Sequence, residues 1–552
     1  MGIRKKRKEV TAMKRSTILL TACVFMMGTI ASTPVSYAAG AADFLNHGHS
    51  NEAPSEEQGF SDDGDQTYSD YTEDDLYQDA TGTGTESDLV SGTDTTWFNY
   101  EKPAKTYKIT TEAQLLGLAS LVNENQTESW KPSRLENFEG VTFILMNDIK
   151  LTGKWTPVGS GSASYFAGTF DGNNHTISGM VVDPNYEYSG FFGYLKGQVK
   201  NLNIEGQITS ESDNTGGIAG QIEKESRIVN CTSSVIIKGR DKTGGIVGYN
   251  NGGKIEMSVN KGNVYGTYKV GGVVGENWAG TIEQCANMGN VTSTQRGVAT
   301  YGTGGVAGRS VSADSVVTES YNIGKITSNT EATGGVVGYT NAAGASITSC
   351  YSTGEIVIRG NQKEVVNSWV GGVVGIVGCK GITIHSCYAA KGVTGADVTG
   401  GVVGRYIDDH NDINENMINK NYYVSDFYDS GIGQTEDNKK ISDAALGVSS
   451  GGLNKMAAAL GPAYISDSSG RYGNHGFPVL EWQSPVSEEE RTYLTVLSKD
   501  VQIDFDEYLI ETASDNKTGW SMLSFLNPNS YITNAASQYH ADKMEKEEQN
   551  EK

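Results

Sequence analysis

A five-residue phrase, small–Gly–apolar–apolar or Ala–Gly, returns eight times between Ser189 and Gly404 and limits what this chain can fold into. The copies begin at Ser189, Gly216, Gly244, Gly271, Gly304, Gly334, Gly371 and Gly400, with successive differences of 27, 28, 27, 33, 30, 37 and 29 residues. A period in that range marks a repeat architecture. A second phrase keeps step about half a period later: an apolar residue, two further residues, then Cys or Ser. Its copies end at Cys231, Ser258, Cys285, Ser320, Cys350 and Cys387. Between the phrases lie short runs of Val, Ile and Thr punctuated by Gly and Asn, which read as strands. No repeat has room for a crossover helix.

Such units cannot bury an apolar face alone; they do so when coiled and stacked, each turn hydrogen-bonding to the next. The expected fold is all-β, a right-handed parallel β-solenoid (β-helix) of about eight Gly-rich rungs with small helical caps at both ends. At roughly 4.8 Å per rung, eight turns give a rod on the order of 40 Å long. The Gly pairs are expected at corners, where Gly supplies positive φ and allows neighbouring rungs to approach closely. The following Val or Ile then enters the core. Val at Gly272 or Gly335 is expected to cost well over about 1 kcal/mol in steric strain.

Residues 1–38 read as an export signal: basic Arg4–Lys8 and Lys14-Arg15, apolar Ile18–Ile30, and the small-residue site Ser36-Tyr-Ala38. No later stretch reads as a transmembrane span. Residues 39–96 read as an acidic disordered linker, with 15 acidic residues and no Lys or Arg from Gly40 to Thr96. Its carboxylates lack the alternating spacing of a calcium loop. The net charge of −23 argues against nucleic acid as a partner.

Residues 97–188 read as an N-terminal cap with the first irregular rungs. Thr111-Glu-Ala-Gln114 is a capping box, and Leu115, Leu118, Ala119 and Val122 share one helical face. Val141–Ile149 and Gly168–Ile177 read as strands. Residues 189–430 are the repeats and 431–483 a C-terminal cap, with short helices expected at Ser442–Leu446 and Asn454–Leu460. Residues 484–552 form a tail of unknown role, carrying strand signal at Tyr493–Leu497 and Val501–Phe505.

The chain resembles the GLUG-motif bacterial surface proteins through Trp155-Thr-Pro-Val-Gly159, Phe166–His175, Gly190-Phe-Phe-Gly193, Val199–Leu202, Asn421–Asp426 and Gly476–Trp482. The resemblance covers roughly residues 106–483. It implies a secreted, surface-associated β-helical region of the kind found in adhesins and beside the protease domain of some immunoglobulin A peptidases. That peptidase needs a His-Glu-x-x-His zinc motif, and this sequence has none.

The Cys/Ser column reads as a small, core-facing position. Cysteines two rungs apart are beyond bridging distance, roughly 9.6 Å. Free thiols are expected, with Cys350–Cys387 and Cys379–Cys387 the pairings left open. No zinc spacing is present, and Asp408–Asp412 reads as a solvated loop.

The residue after each Gly phrase (Tyr194, Gln221, Tyr249, Glu276, Arg309, Tyr339, Ile376, Arg405) changes from turn to turn and offers no paired acids. Glu256 and Glu283 are expected on neighbouring rungs, as are Asp241 and Lys269. No nucleophile motif stands out. The chain is therefore expected to be no enzyme and to need no cofactor or metal. The expected role is a secreted, monomeric bacterial cell-surface protein that binds an extracellular glycan or protein through Tyr249, Trp278, Tyr339 and Tyr351. A structural stalk and a polysaccharide-active β-helix enzyme are the alternatives.

Overall fold

The structure is a computed structural model. It describes residues 78–79, 92–99, 102–124, 136–294, 300–359, 368–407, 417–435, 444–468, 470, 472 and 474–484, all within one compact unit, Tyr71–Lys552. The export signal, most of the acidic stretch, Asp408–Asp412 and the tail after Ser484 lie outside the described residues.

Among the described residues the chain is a parallel β-solenoid. Four sheets of 7, 9, 12 and 16 strands run along it. One turn shows the order. Thr243–Gly244 lies in the seven-stranded sheet, Val247–Asn251 in the nine-stranded, and Lys254–Glu256 in the twelve-stranded. Val259–Asn260 and Val264–Gly266 then both lie in the sixteen-stranded sheet. The nine-stranded sheet exceeds the eight phrases because Ile432–Thr435 adds a further rung.

Register follows the repeat. Ile228, Ile255, Ile282, Val317, Ile347, Ile384 and Ile418 pair in sequence down the twelve-stranded sheet. All are buried, as are Ile246, Val273, Val306, Val336, Val373 and Val402 after the glycine pairs. Burying such stacked aliphatic side chains stabilises each by about 1.5–3 kcal/mol. Two amide ladders also run inside. Asn260 Nδ2 donates to Asn287 Oδ1 (2.8 Å) and Asn287 Nδ2 to Asn322 Oδ1 (2.7 Å); Asn250 Nδ2 donates to Asn277 Oδ1 (2.9 Å). Each buried amide is thereby paired, as burial of polar groups requires.

The glycines act by close approach alone, which corrects half of their expected role. None of the eight phrases contains a positive-φ glycine. A Cβ at Gly245 would lie 2.2 Å from both the Gly272 carbonyl oxygen and Asn260 Cγ; one at Gly248 would lie 2.4 Å from the Thr215 amide nitrogen. The seven- and nine-stranded sheets therefore meet backbone to backbone. Left-handed residues instead turn the corner before the Cys/Ser column: Asn230, Met257, Gln284, Glu319, Ser349 and Ser386, with φ from 45° to 57°.

Among the described residues no disulfide forms, and Cys231, Cys285, Cys350 and Cys387 are free thiols. Cys231, Cys285, Cys350 and Cys387 are buried, and each thiol donates to main-chain carbonyls, as Cys285 Sγ does to Glu283 O (3.2 Å). Ser258 and Ser320 donate in the same way, to Glu256 O and Thr318 O (2.8 Å each), which explains the interchange. Burial pushes the Cys231 and Cys285 thiols up to about 12.

Helix Glu112–Asn123 packs at the start of the rod, with Thr111 and Gln114 forming the capping box and Leu115, Leu118, Ala119 and Val122 buried. It joins Trp97, Tyr107, Phe138, Phe143 and Phe166 in the core. The strand Thr106–Ile109 pairs with Thr142–Leu145 and that in turn with Thr169–Asp171, so the twelve-stranded sheet continues through this region. Gln78–Asp79, within the stretch read as a linker, pairs beside Tyr107 and Lys108.

The C-terminal region departs from expectation. Ala445–Val448 is a strand paired with Asn421–Val424, not part of a helix, because the sheet edge offered a full row of backbone partners. Short helices follow at Ser450–Leu453 and Ala457–Leu460, then an antiparallel pair, Tyr464–Ile465 with Val479–Leu480. This segment lies along the side of the rod as a strap. Tyr464 OH donates to Ser386 O (2.9 Å), Thr353 Oγ1 to Asn474 Oδ1 (3.2 Å), and Trp482 Nε1 to Glu319 O (2.8 Å).

Candidate ligand-binding face

The alternation of each strand fixes what its sheet shows to the outside. In the strands after the glycine phrases, Ile222, Asn250 and Asn277 form one buried register column. The residue just before each of these belongs to the opposite-facing column, Tyr194, Gln221, Tyr249, Glu276, Arg309, Tyr339, Ile376, Arg405 and Gln434, in which Tyr194, Gln221, Glu276, Tyr339 and Ile376 are themselves buried. Two residues on, Glu223, Asn251, Trp278 and Val311 form a parallel column.

Three of the four expected binding residues, Tyr249, Trp278 and Tyr339, thus lie on the same side of one sheet, on different turns. Trp278 is 46% exposed there. Tyr249 is half-buried, with the Lys242 ammonium 5.2 Å from its ring centre. Burial, followed by the Glu276 and Glu223 carboxylates, holds the Tyr249 phenol well above its usual value, so it stays a neutral donor. Tyr339 is 7% exposed, with the Arg309 guanidinium 5.6 Å from its ring centre; it is covered in a cluster with Ala332, Trp369 and Ile376 and presents no open ring.

Tyr351 is a correction. It is fully buried on the sixteen-stranded sheet, stacked at 4.9 Å and 4° between Tyr321 and Tyr388 and covered by the strap. Its hydroxyl donates to Gln483 Oε1 at 3.0 Å.

Beside Tyr249 runs a shielded charge network that sequence reasoning caught only in part. Lys269 Nζ lies 2.8 Å from Asp241 Oδ2 and 3.4 Å from Glu276 Oε2, and Arg309 Nη1 lies 2.9 Å from Glu276 Oε1. Glu276 is 4% exposed. Burial alone would lower the Lys269 pKa, but Glu276 and Asp241 outweigh it and the net direction is up. The network holds its charges by mutual pairing, the condition for shielding them from water. Glu223 orders the parallel column, accepting from Tyr194 OH, Gln221 Nε2 (2.6 Å) and Asn251 Nδ2 (2.7 Å). Glu256 and Glu283 are register partners, bridged by Lys254 at 2.9 Å from each. The signal for the network lay in the opposite-facing column itself, where Glu276 precedes Arg309 by one turn.

Among the described residues, no three His, Cys, Asp or Glu side chains gather as metal ligands, and no helix is long and apolar enough to cross a membrane.

No family model matches the chain. A stretch of 99 residues is 32% identical to Halomucin of Haloquadratum walsbyi, covering 17% of this chain and 1% of Halomucin. Among solved structures, a "putative immunoglobulin A1 protease" of Bacteroides ovatus aligns with a TM-score of 0.38 and 18% identity, over 68% of this chain and 92% of that one.

Proposed function

We propose that the chain is a secreted bacterial surface protein of the GLUG-motif kind, and that it binds an extracellular glycan or protein without catalysing a reaction on it. The contact surface is the outer face of the nine-stranded sheet. The observation that carries this reading is the indole of Trp278, 46% exposed on the nine-stranded sheet beside the ordered Glu223–Asn251 pair and one turn from Tyr249. An exposed indole offers a large rigid apolar surface for stacking, the type of side chain enriched at binding hot spots. Secretion rests on the basic-then-apolar N-terminal sequence.

The test is an array of glycans and matrix proteins probed with the purified full chain and with Trp278→Ala/Tyr249→Ala. Saturable binding that falls at least tenfold in the variant supports the reading. Absence of binding, or binding indifferent to both changes, overturns it. Release of products from a polysaccharide would favour an enzyme instead. A stalk is the second reading, favoured by the way Asp241, Lys269, Glu276 and Arg309 satisfy one another.

A further inference from the structure

Most lysine ion pairs on this rod sit in water. Lys154, Lys200, Lys254 and Lys325, paired in that order with Asp183, Asp171, Glu256 and Glu355, have side chains 40–72% exposed. Lys269 differs. Its side chain is 10% exposed, and it faces two carboxylates that are themselves shielded, Asp241 at 16% and Glu276 at 5%.

The fold delivers these three groups to one corner. Thr243 and Val270 are register partners, so Asp241 and Lys269 lie just before the same strand position on neighbouring turns, 28 residues apart. Lys242 and Lys269 both turn there with left-handed φ, 45° and 41°. Glu276 comes from the strand Val274–Trp278 that follows Lys269. Lys269 Nζ lies 2.8 Å from Asp241 Oδ2 and 3.4 Å from Glu276 Oε2. Asp241 Oδ1 accepts the Lys242 main-chain N–H (2.9 Å), and Arg309 Nη1 holds Glu276 Oε1 (2.9 Å). The Tyr301 ring, packed edge-on against Tyr268, is centred 5.6 Å from the ammonium. An amine, a carboxyl group polarised by a main-chain N–H and a second carboxylate to carry a proton are thus held together away from water, as amide formation requires.

We propose that Lys269 and Asp241 condense into an intramolecular isopeptide bond, with Glu276 as the catalytic residue, so that one turn is stapled to the next. Although burial alone would lower it, Glu276 and Asp241 keep the Lys269 pKa high, so its proton goes to a carboxylate within the network and not to solvent. Transfer to Asp241 Oδ2 leaves a neutral amine and a neutral acid, the pair that burial favours over two ions. The nitrogen lone pair attacks Asp241 Cγ, and the C=O pair moves to Oδ1, where the Lys242 N–H stabilises it. Glu276 takes a proton from the nitrogen and returns it to Oδ2, which leaves as water while the carbonyl re-forms. One C–N bond forms and one C–O bond breaks; nothing is oxidised or reduced, and no co-reactant is consumed. Solenoid turns hold one another only as neighbours, so a covalent tie inside the rod stops fraying at that turn.

The test is the intact mass of the purified full chain, followed by a tryptic map. The chain should be lighter than its own sequence by one water. Trypsin should leave Lys269–Val270 uncut, with the peptide Asp241-Lys242 joined to the one that carries Lys269. Lys269→Arg keeps the charge but offers no condensing amine, and should have its full mass. Glu276→Gln should lower the linked fraction at least tenfold. A parent chain of full mass, cut after Lys269, would overturn the proposal. So would a water loss confined to Asp241 with Lys269 still cut, the product of ring closure onto the Lys242 nitrogen. Linkage undiminished in Glu276→Gln would overturn the role given to Glu276. The bond is read in the parent itself, so a variant that fails to fold leaves that result intact.

Discussion

Replacing Tyr351 with Ala tests whether this ring holds the strap or serves a ligand. The ring is fully buried, stacks on Tyr321 and Tyr388 at 4.9 Å each, and donates its hydroxyl to Gln483 Oε1. Truncating a buried aromatic to Ala costs about 3–5 kcal/mol. Roughly 1–3 kcal/mol of that is attributable to two aromatic pairs and about 1 kcal/mol to the hydrogen bond. Tyr351→Phe removes only the hydroxyl and should cost about 0.5–1.5 kcal/mol. A ring that merely served a surface ligand would cost within about 0.5 kcal/mol on truncation. Solenoid stability is a sum of local and nearest-neighbour terms, so a global midpoint would blur the effect. Hydrogen exchange of the strap amides reads it directly, at Leu480 N, which donates to Gln483 Oε1, and at Ile465, the register partner of Val479. Tyr351→Ala should raise exchange there by two orders of magnitude or more, with Tyr351→Phe intermediate. Unchanged strap exchange in Tyr351→Ala, with overall stability within 1 kcal/mol of the parent, would refute the reasoning.

Two further outcomes follow from the solenoid itself. A Cβ at Gly335 would lie 2.0 Å from the Gly372 carbonyl oxygen and 2.6 Å from Ser352 Cβ, so Gly335→Ala should destabilise by about 2 kcal/mol or more, whereas Gly153→Ala, with nothing within 4 Å, should be neutral to slightly stabilising by denaturant unfolding. Glu256 is opposed by its own desolvation, but Arg227 and Lys254 (2.9 Å) outweigh it and hold its carboxyl below the usual 4.5. Because the folded pKa is the lower one, this stabilisation is fully present above pH 4.5 and lost as pH falls through the folded value. Both cations are 40% or more exposed, so Glu256→Gln should cost only about 1 kcal/mol at pH 7, and the gap from the parent should close on acidification below pH 4.5.

The rod was legible because its information is local and periodic. Each core residue finds its partner one period away, so the spacing of Ile228, Ile255 and Ile282 already names three rungs. The corner before the Cys/Ser column was not legible, since Asn230, Met257, Glu319 and Ser349 share a left-handed φ but no side-chain chemistry. Ser442–Leu446 resembled a short helix, yet Ala445–Val448 gains more by completing a sheet edge than a four-residue helix would. Of the candidate face, the column with Tyr249 and Tyr339 was visible in sequence; the depth of Tyr339 was not, because it depends on packing against Ala332, Trp369 and Ile376.

Tyr351 shows what periodicity hides. The strap hydrogen bonds reach across 132 residues to Tyr351 and 163 to Glu319, and nothing in the repeat announces a partner so far away. One sign was present all the same. A column that passes from Asn203 and Thr232 to four consecutive tyrosines would lay an aromatic stripe in water unless something covered it. The two rows of rings on this rod therefore have separate duties. Tyr249 and Trp278 stand on the nine-stranded sheet, whereas the strap's hydrogen bonds land on Glu319, Tyr351, Thr353, Ser386 and Tyr388, at later turns of the rod. A change at Trp278 should thus alter binding and leave strap exchange alone, while Tyr351→Ala should do the reverse. Coupling between the two readouts would mean that the rod transmits strain along its turns, which nearest-neighbour stacking does not predict.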